Sequence, residues 1–167
     1  MKGKPRGARV PKAAAVADYS FRQRFRVSPE KAFRWCIDFT PNDLADSEDG
    51  RRKVTWLSPR TVRLDDTFPR PGGRRIRKVK LVQIYPETRS WVSTHIVGPN
   101  HYSQFRYAIV PDGATGSALL FDGRELRWKG PALIAAATRR LARRLCEEDA
   151  SLWKTFAVEM ERAYRVR

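Results

Sequence analysis

Two residues in the second half of the sequence have side chains suited to acid–base chemistry. His95 lies in the alternating stretch Trp91–Val97, and an imidazole with a pKa of about 6.5 exchanges protons near neutral pH. Tyr107 lies in the next alternating stretch, where its phenol can meet a ligand carbonyl. Each residue also has a structural alternative. The sequence shows no partner for His95, and a tyrosine often closes a core with its hydroxyl.

Large apolar side chains elsewhere in the sequence can form the walls of a pocket around these two groups. The predicted ligand-binding set is Trp56, Trp91, His95, Tyr107, Trp153, Phe156 and Met160. For any one of the large side chains, filling the core is the alternative, because protein interiors pack densely. The prediction therefore depends on the set and not on one ring.

A long helix at the C-terminus, predicted over Pro131–Tyr164, is the main element that must position this set. Apolar residues recur there at steps of three and four, and Gly130-Pro131 is a start signal. A helix of that length spans about 45–50 Å, which exceeds the width of a small domain. We therefore expect a bend or break near Cys146–Asp149, or a projecting first half, with the second half lying along a sheet.

The rest of the chain reads as one strand, two short helices and a run of strands. Tyr19–Val27 alternates as a half-buried strand, Ser28-Pro29-Glu30 starts a helix, and Thr40 to Asp46 favours a second, shorter one. The later predicted strands are Lys53–Leu57, Thr61–Leu64, Arg74–Tyr85, Thr88–Val97, Tyr102–Val110 and Ser117–Trp128. Short turns between them predict an antiparallel meander. The expected organisation is an α+β domain over residues 18–167 after a flexible basic tail, residues 1–17.

The stretch Phe25–Phe39, the order of elements and the stretch Glu147–Met160 resemble the START-like or Bet v 1-like superfamily, over about residues 18–165. Members include polyketide cyclases and dehydrases and lipid-transfer proteins. The resemblance implies a helix-grip fold, in which a curved antiparallel sheet of six to seven strands leaves a cavity against the long C-terminal helix. It also implies that an apolar small molecule is enclosed there, and that a minority of members are enzymes acting on it.

Three functions follow as hypotheses. The first is binding of a hydrophobic or aromatic small molecule, of lipid, isoprenoid or polyketide type, in that cavity. The second is an enzyme of cyclase or dehydrase type that uses His95 or Tyr107 as its acid–base group. The third is electrostatic docking to an anionic membrane or to nucleic acid through the basic segments.

The third hypothesis comes from the charge of the chain. Lys and Arg number 34 against 18 Asp and Glu, a net charge of +16, with the excess in residues 1–12, 51–80 and 129–145. Such a field attracts anionic partners, with general solubility as the alternative. Arg139, Arg140, Arg143 and Arg144 lie on the polar side of the predicted helix and fit an anionic membrane surface; packing of this segment on the sheet is the alternative. Nucleic acid is the less favoured partner, because no aromatic residues for base stacking alternate with the Lys and Arg residues of the segment 74–80.

Several classes of protein are not indicated. The sequence has no apolar run long enough to span a membrane, and the run Ala13–Ala17 is too short for a signal peptide. Cys36 and Cys146 lie far apart inside predicted helices, which argues against a disulfide framework or a metal cluster. Neither a phosphate-binding glycine loop nor a zinc spacing occurs. We therefore expect a cytoplasmic protein without a metal or cofactor.

Overall fold

A computed structural model describes residues 12–44 and 50–165 of the 167-residue chain. Within those ranges the order is strand, helix, six strands, helix. The strands are β1 Ala15–Phe25, β2 Arg51–Ser58, β3 Thr61–Pro69, β4 Arg75–Tyr85, β5 Ser90–Val97, β6 Gln104–Asp112 and β7 Gly116–Arg127. The helices are α1 Pro29–Cys36 and α2 Ala135–Arg165, with short 3-10 turns at Pro41–Leu44, Pro71–Gly73 and Pro86–Thr88.

The strands form one antiparallel sheet in the order β1-β7-β6-β5-β4-β3-β2. From β2 to β7 each strand pairs with its neighbour in sequence, as expected where tight turns join alternating strands. Only β1 crosses to a distant partner, pairing with β7 from Ala15 opposite Arg127 to Phe25 opposite Ser117. The predicted meander and the α+β helix-grip architecture are confirmed.

One face of the sheet packs against both helices and forms the core. Ala32 and Phe33 of α1 and Ala157 and Met160 of α2 are buried in the main core cluster. The sheet contributes the buried side chains Phe25, Val62, Leu64, Val82, Ile84, Trp91, Phe105, Ile109, Leu119 and Phe121. We call this face the inner face of the sheet.

The start of α1 agrees with the sequence. Ser28 has extended backbone angles and its hydroxyl accepts from the Lys31 N–H at 3.5 Å, while Pro29 occupies the first turn. The second predicted helix is a 3-10 turn at Pro41–Leu44, held by Asp43, which accepts from the Thr40 N–H at 3.0 Å. Its predicted extension to Asp46 lies outside the described residues.

The first strand begins earlier than expected. Because β1 starts at Ala15, residues 15–17 belong to the sheet, and the predicted flexible tail over residues 1–17 is wrong for them; residues 1–11 lie outside the described part of the chain. Ala15 and Ala17 are buried beneath Leu141 and Leu145 of α2. The start of this strand is not evident from the sequence, because the run Ala13–Ala17 has no alternation of polar and apolar residues.

The long helix starts later than expected and does not break. The Leu133 N–H donates to the Ala14 carbonyl at 3.1 Å, which ties the segment before α2 to the start of β1. From Ala135 to Arg165 the helix is continuous, so the predicted break near Cys146–Asp149 is wrong. Its first half does not project either, because Leu141 and Leu145 pack on the sheet. No helix among the described residues is long and apolar enough to cross a membrane.

Candidate functional site

A layer of aromatic rings lies between the inner face and the helices. We call it the aromatic cluster, and its members are Phe21, Phe25, Phe33, Trp91, Phe105, Tyr107, Phe121, Trp153 and Phe156. Trp91 and Tyr107 stack with ring centroids 4.8 Å apart, as strand pairing places them directly opposite each other. Trp153 of α2 lies 6.4 Å from Trp91 and 5.9 Å from Tyr107. The helix and the sheet therefore meet through rings.

The rings of the cluster differ in how far they are covered. Trp91 is only 3% exposed, and Phe121 is equally enclosed. Tyr107, Trp153 and Phe156 remain half-buried, although each contacts at least two other rings. Each of these three side chains therefore keeps part of its surface accessible to solvent.

A tyrosine–carboxyl pair borders the cluster. The Tyr19 hydroxyl of β1 donates to Oδ2 of Asp149 on α2 at 2.7 Å. Burial raises the pKa of the Asp149 carboxyl, although the bond from Tyr19 acts in the opposite direction. Burial and the neighbouring Asp149 also raise the pKa of the Tyr19 phenol. At this position the pair supplies polar groups beside aromatic surface.

Gly123 lets the Tyr19 ring reach this position. A Cβ atom at Gly123 would lie 3.0 Å from Cζ of Tyr19 and 2.9 Å from Cε1 of Phe121. Two rings thus cover a residue of β7 that has no side chain, and Tyr19 lies directly opposite it in the sheet. A larger residue would force one of the rings to move.

The sequence contained a signal for the Tyr19–Asp149 pair that we did not use. Asp149 is four residues after Leu145 and four before Trp153, so it lies on the apolar stripe of the helix. A carboxyl on an apolar stripe needs a polar partner. That partner is 130 residues away in sequence.

His95 lies on the buried face of β5, beside the cluster. Its ring is 5.0 Å from Phe105, and its Nδ1 lies 3.0 Å from Oδ1 of Asn100. The amide oxygen can only accept, so Nδ1 carries the proton and Nε2 holds the lone pair. Burial lowers the pKa of His95 to about 4, so the imidazole is neutral at neutral pH.

A buried charged network occupies another part of the inner face. Asp66, 0% exposed, accepts from Arg52 through two bonds of 2.7 and 2.9 Å, and from Nζ of Lys80 at 2.9 Å. Arg52 also donates to Asp43 at 3.0 Å. Burial acts to raise the pKa of Asp66, but the bonds from Arg52 and Lys80 hold it below its usual value. We call Arg52, Asp66 and Lys80 the charged network.

The sequence analysis did not identify this network. A register shift between Val79 and Lys80 places Lys80 opposite His95 of β5, and Val79 is itself buried. Opposite β3 the pairing is regular, with Lys80 facing Leu64, and Lys80 shares the alternation of the buried Val82 and Ile84. The inward position of Lys80 therefore follows from the alternation, whereas its pairing with Asp66 depends on how β3 and β4 meet in the sheet.

The predicted ligand-binding residues fall into three places. Four of them lie in the aromatic cluster: Trp91, Tyr107, Trp153 and Phe156. Met160 is fully buried in the adjoining core, and His95 contacts the cluster through Phe105. Trp56 lies on edge strand β2 and is 48% exposed; its ring is 6.4 Å from Phe39, outside the cluster.

Two surface cavities lie at the turn between β6 and β7, near the C-terminal half of α2. The larger, of about 870 Å³, is lined by Arg24, Asp112, Thr115 and Lys154 among others, and the smaller, of about 260 Å³, is lined by Lys31 and Tyr164 among others. None of the predicted ligand-binding residues lines either one. Both have charged walls, unlike the aromatic cluster.

Within residues 12–44 and 50–165, no three His, Cys, Asp or Glu side chains are grouped so as to hold a metal ion. Cys36 and Cys146 are both free thiols. Burial raises the pKa of the Cys36 thiol, which makes it unreactive at neutral pH. The candidate site therefore consists of aromatic rings, the hydroxyls of Tyr19 and Tyr107, and the carboxyl of Asp149.

No protein-family model and no curated protein sequence matches the chain. Its fold, however, matches solved structures. A START superfamily protein from Mycobacterium smegmatis is 21% identical, with a TM-score of 0.61 over 87% of this chain and 98% of that one. The Zhui aromatase/cyclase from Streptomyces sp. R1128 is 12% identical, with a TM-score of 0.66 over 91% and 96%.

A third similar structure is norcoclaurine synthase from Thalictrum flavum, in complex with dopamine and hydroxybenzaldehyde. It is 12% identical, with a TM-score of 0.62 over 92% of this chain and 88% of that one. At these identities the likeness concerns the fold and not the activity. The chain has the START/Bet v 1-like helix-grip fold.

Proposed function

We propose that the protein binds a hydrophobic or aromatic small molecule, of lipid, isoprenoid or polyketide type, between the inner face of the sheet and α2. The observation that carries the proposal is the incomplete burial of Tyr107, Trp153 and Phe156 within the aromatic cluster. Small-molecule sites are lined mainly by apolar and aromatic side chains with few polar groups. A flat apolar molecule can cover the ring surface that the protein leaves accessible.

Such a molecule can be oriented by the hydroxyls of Tyr19 and Tyr107 and by the carboxyl of Asp149. Burial raises the pKa of the Tyr107 phenol, so the phenol stays protonated and can donate to a ligand carbonyl. Tyr19 donates to Asp149, so its oxygen is left to accept from a ligand hydroxyl. Norcoclaurine synthase, which shares the fold, was solved with two aromatic ligands, and this supports an aromatic ligand here.

Removal of one indole tests the proposal. We expect naphthol or a long-chain fatty acid to quench tryptophan fluorescence and to raise the Tm of the wild-type protein. The Trp153→Ala variant should lose at least about tenfold in affinity, since an aromatic contact surface of this size is removed. Trp56→Ala is the matched control, because its indole lies outside the cluster, and its affinity should not change.

Other outcomes would overturn the proposal. If neither probe binds the wild-type protein, no apolar site is present. If Trp153→Ala binds as tightly as the wild type while remaining folded, the site lies away from the cluster. The milder variant Tyr107→Phe keeps the ring stack and should lower affinity only for probes that carry a carbonyl.

An enzyme of cyclase or dehydrase type is the second candidate, with His95 or Tyr107 as the acid–base group. The hydrogen bond to Asn100 supports it, because it leaves the lone pair on Nε2 of the neutral imidazole, where it can accept a proton from a substrate, although the lowered pKa makes His95 a weak base. In this case His95→Gln should abolish turnover of an aromatic polyketide substrate while binding persists. Binding without turnover in the wild-type protein would leave only the first function.

A further inference from the structure

One end of the molecule combines exposed apolar side chains with exposed basic ones. Four segments meet there: Lys12–Ala14, the end of β5 with the loop that follows it, the segment from Arg127 to Ile134, and the first two turns of α2. We call this end the basic tip. Its exposed apolar side chains are Ile96, Val97, Tyr102, Leu133 and Ile134, and its basic side chains include Lys129, Arg139, Arg140 and Arg143.

Specific contacts join these segments into one surface. The Ala14 N–H donates to the Arg127 carbonyl at 2.6 Å, and the Ala14 carbonyl accepts from Leu133. The Trp128 indole stacks on His101 with ring centroids 4.7 Å apart and donates to the His101 carbonyl at 2.7 Å. These contacts hold the segments together, so the basic tip is one continuous surface.

Its apolar side chains are unusually open to solvent. Ile134 is 71% exposed and Tyr102 62% exposed. Tyr102 also has a positive φ of 66°, which an L-residue other than glycine rarely adopts. Its N–H donates to the His95 carbonyl at 2.6 Å, which fixes this conformation and leaves the ring pointing away from the core.

The charge of the basic tip is strongly positive. Residues 129–145 contain five basic residues and no acid. Leu141 and Leu145 face the sheet, so Arg139 and Arg143 lie on the opposite side of α2 and are exposed. In the described part of the chain, no carboxylate pairs with Lys129, Arg139, Arg140 or Arg143. Near the other end of the sheet, by contrast, Arg22 and Arg24 share Asp112.

We propose that the basic tip docks on an anionic lipid surface. Ile134, Leu133 and Tyr102 enter the interfacial region of the bilayer, where apolar and tyrosine side chains are favoured. Lys129, Arg139 and Arg143 then contact the lipid headgroups, since basic residues near an anionic leaflet are attracted to it. Nucleic acid is less well matched, because phosphate recognition gives no use to exposed aliphatic side chains.

Sedimentation with vesicles tests this docking. We expect the full chain to sediment with phosphatidylcholine vesicles that contain phosphatidylserine, but not with phosphatidylcholine alone, and to dissociate as salt is added. Arg139→Gln/Arg143→Gln should weaken binding at least about tenfold. The matched control is Lys154→Gln/Arg162→Gln, exposed on the other half of the same helix, which should bind as the wild type does.

A second variant separates insertion from simple charge attraction. Leu133→Ser/Ile134→Ser removes exposed apolar surface without altering charge or the core, so its Tm should not change. It should bind about tenfold more weakly with the same salt dependence, because the lost apolar burial is independent of salt. The tryptophan emission of the wild type should shift to shorter wavelength on vesicles, and Trp128→Phe should reduce this shift.

Four results would overturn the proposal. They are no binding to anionic vesicles, equal losses in the Lys154→Gln/Arg162→Gln control, no loss in the Leu133→Ser/Ile134→Ser variant, and binding to duplex DNA but not to vesicles. The last result would identify the basic tip as a nucleic-acid surface.

Discussion

The aromatic cluster and the charged network occupy the same inner face but are stabilised in different ways. In the cluster the central rings each contact at least three others, at centroid distances of 4.5 to 6.4 Å; these rings are Trp91, Tyr107, Phe121 and Trp153. In the charged network, Asp66 has two partners, Arg52 and Lys80, and each of its oxygens is used. A ring can exchange one neighbour for a ligand at little cost, whereas a buried carboxylate that loses a partner remains charged and unsatisfied. This difference favours the cluster as the place where a ligand binds.

The largest expected effect comes from breaking the charged network. Asp66→Ala leaves Lys80 without its carboxylate and Arg52 with Asp43 alone, and should lower the free energy of unfolding by about 3–5 kcal/mol, measured by urea denaturation. Asp65→Ala is the control next to it in sequence. Its carboxylate binds Arg63 and Arg77, both well exposed, so its loss should cost at most about 1 kcal/mol. Equal losses would show that the network contributes no more than a surface ion pair.

His95 lies between the two regions and gives a pH dependence of known sign. Its pKa falls from about 6.5 in the unfolded chain to about 4 in the fold, so the unfolded chain binds more protons between these values. Stability is fully present above about pH 6.5 and is lost as the pH falls through this window, by on the order of 3 kcal/mol. The free energy of unfolding of His95→Gln should not show this loss as the pH falls. An unchanged pH profile in the variant would contradict a buried neutral imidazole.

Within the aromatic region, Gly123→Ala tests how closely the rings pack on β7. The new Cβ would lie within 3.0 Å of the Phe121 and Tyr19 rings, and the free energy of unfolding should fall by about 1–3 kcal/mol. Arg124→Ala changes the next residue, on the opposite face, where only the exposed ion pair with Asp18 is lost. That control should lose at most about 1 kcal/mol.

The smallest expected effect concerns the hydroxyl of Tyr19. Tyr19→Phe removes its bond to Asp149 and should lower the free energy of unfolding by about 1 kcal/mol, whereas Tyr85→Phe, at an exposed position, should have no effect. The loss should grow with pH. Asp149 has a raised pKa in the fold, so its burial favours the protonated form and stability falls as the pH rises above the ordinary carboxyl range. A larger loss at low pH than at neutral pH would contradict this assignment.

Much of the fold was predictable, because the signals for it are local. Alternation located the later strands, Ser28-Pro29 marked the start of α1, and steps of three and four residues identified α2. The start of β1 was missed, because an alanine run carries no alternation. The first turn of the predicted long helix was also wrong, because Leu133 bonds to Ala14 rather than within a helix. That bond joins residues far apart in sequence.

The sequence by itself determined which residues are apolar, aromatic or charged, and with them the order of elements and four members of the aromatic cluster. Only the tertiary structure decided that Asp149 faces Tyr19, that Lys80 pairs with Asp66, and that Trp56 stands at the sheet edge. The physical reason is the distance along the chain over which each effect acts. Periodicity and capping act over a few residues, whereas burial, strand register and the pairing of a buried carboxyl depend on segments that meet only in the folded chain.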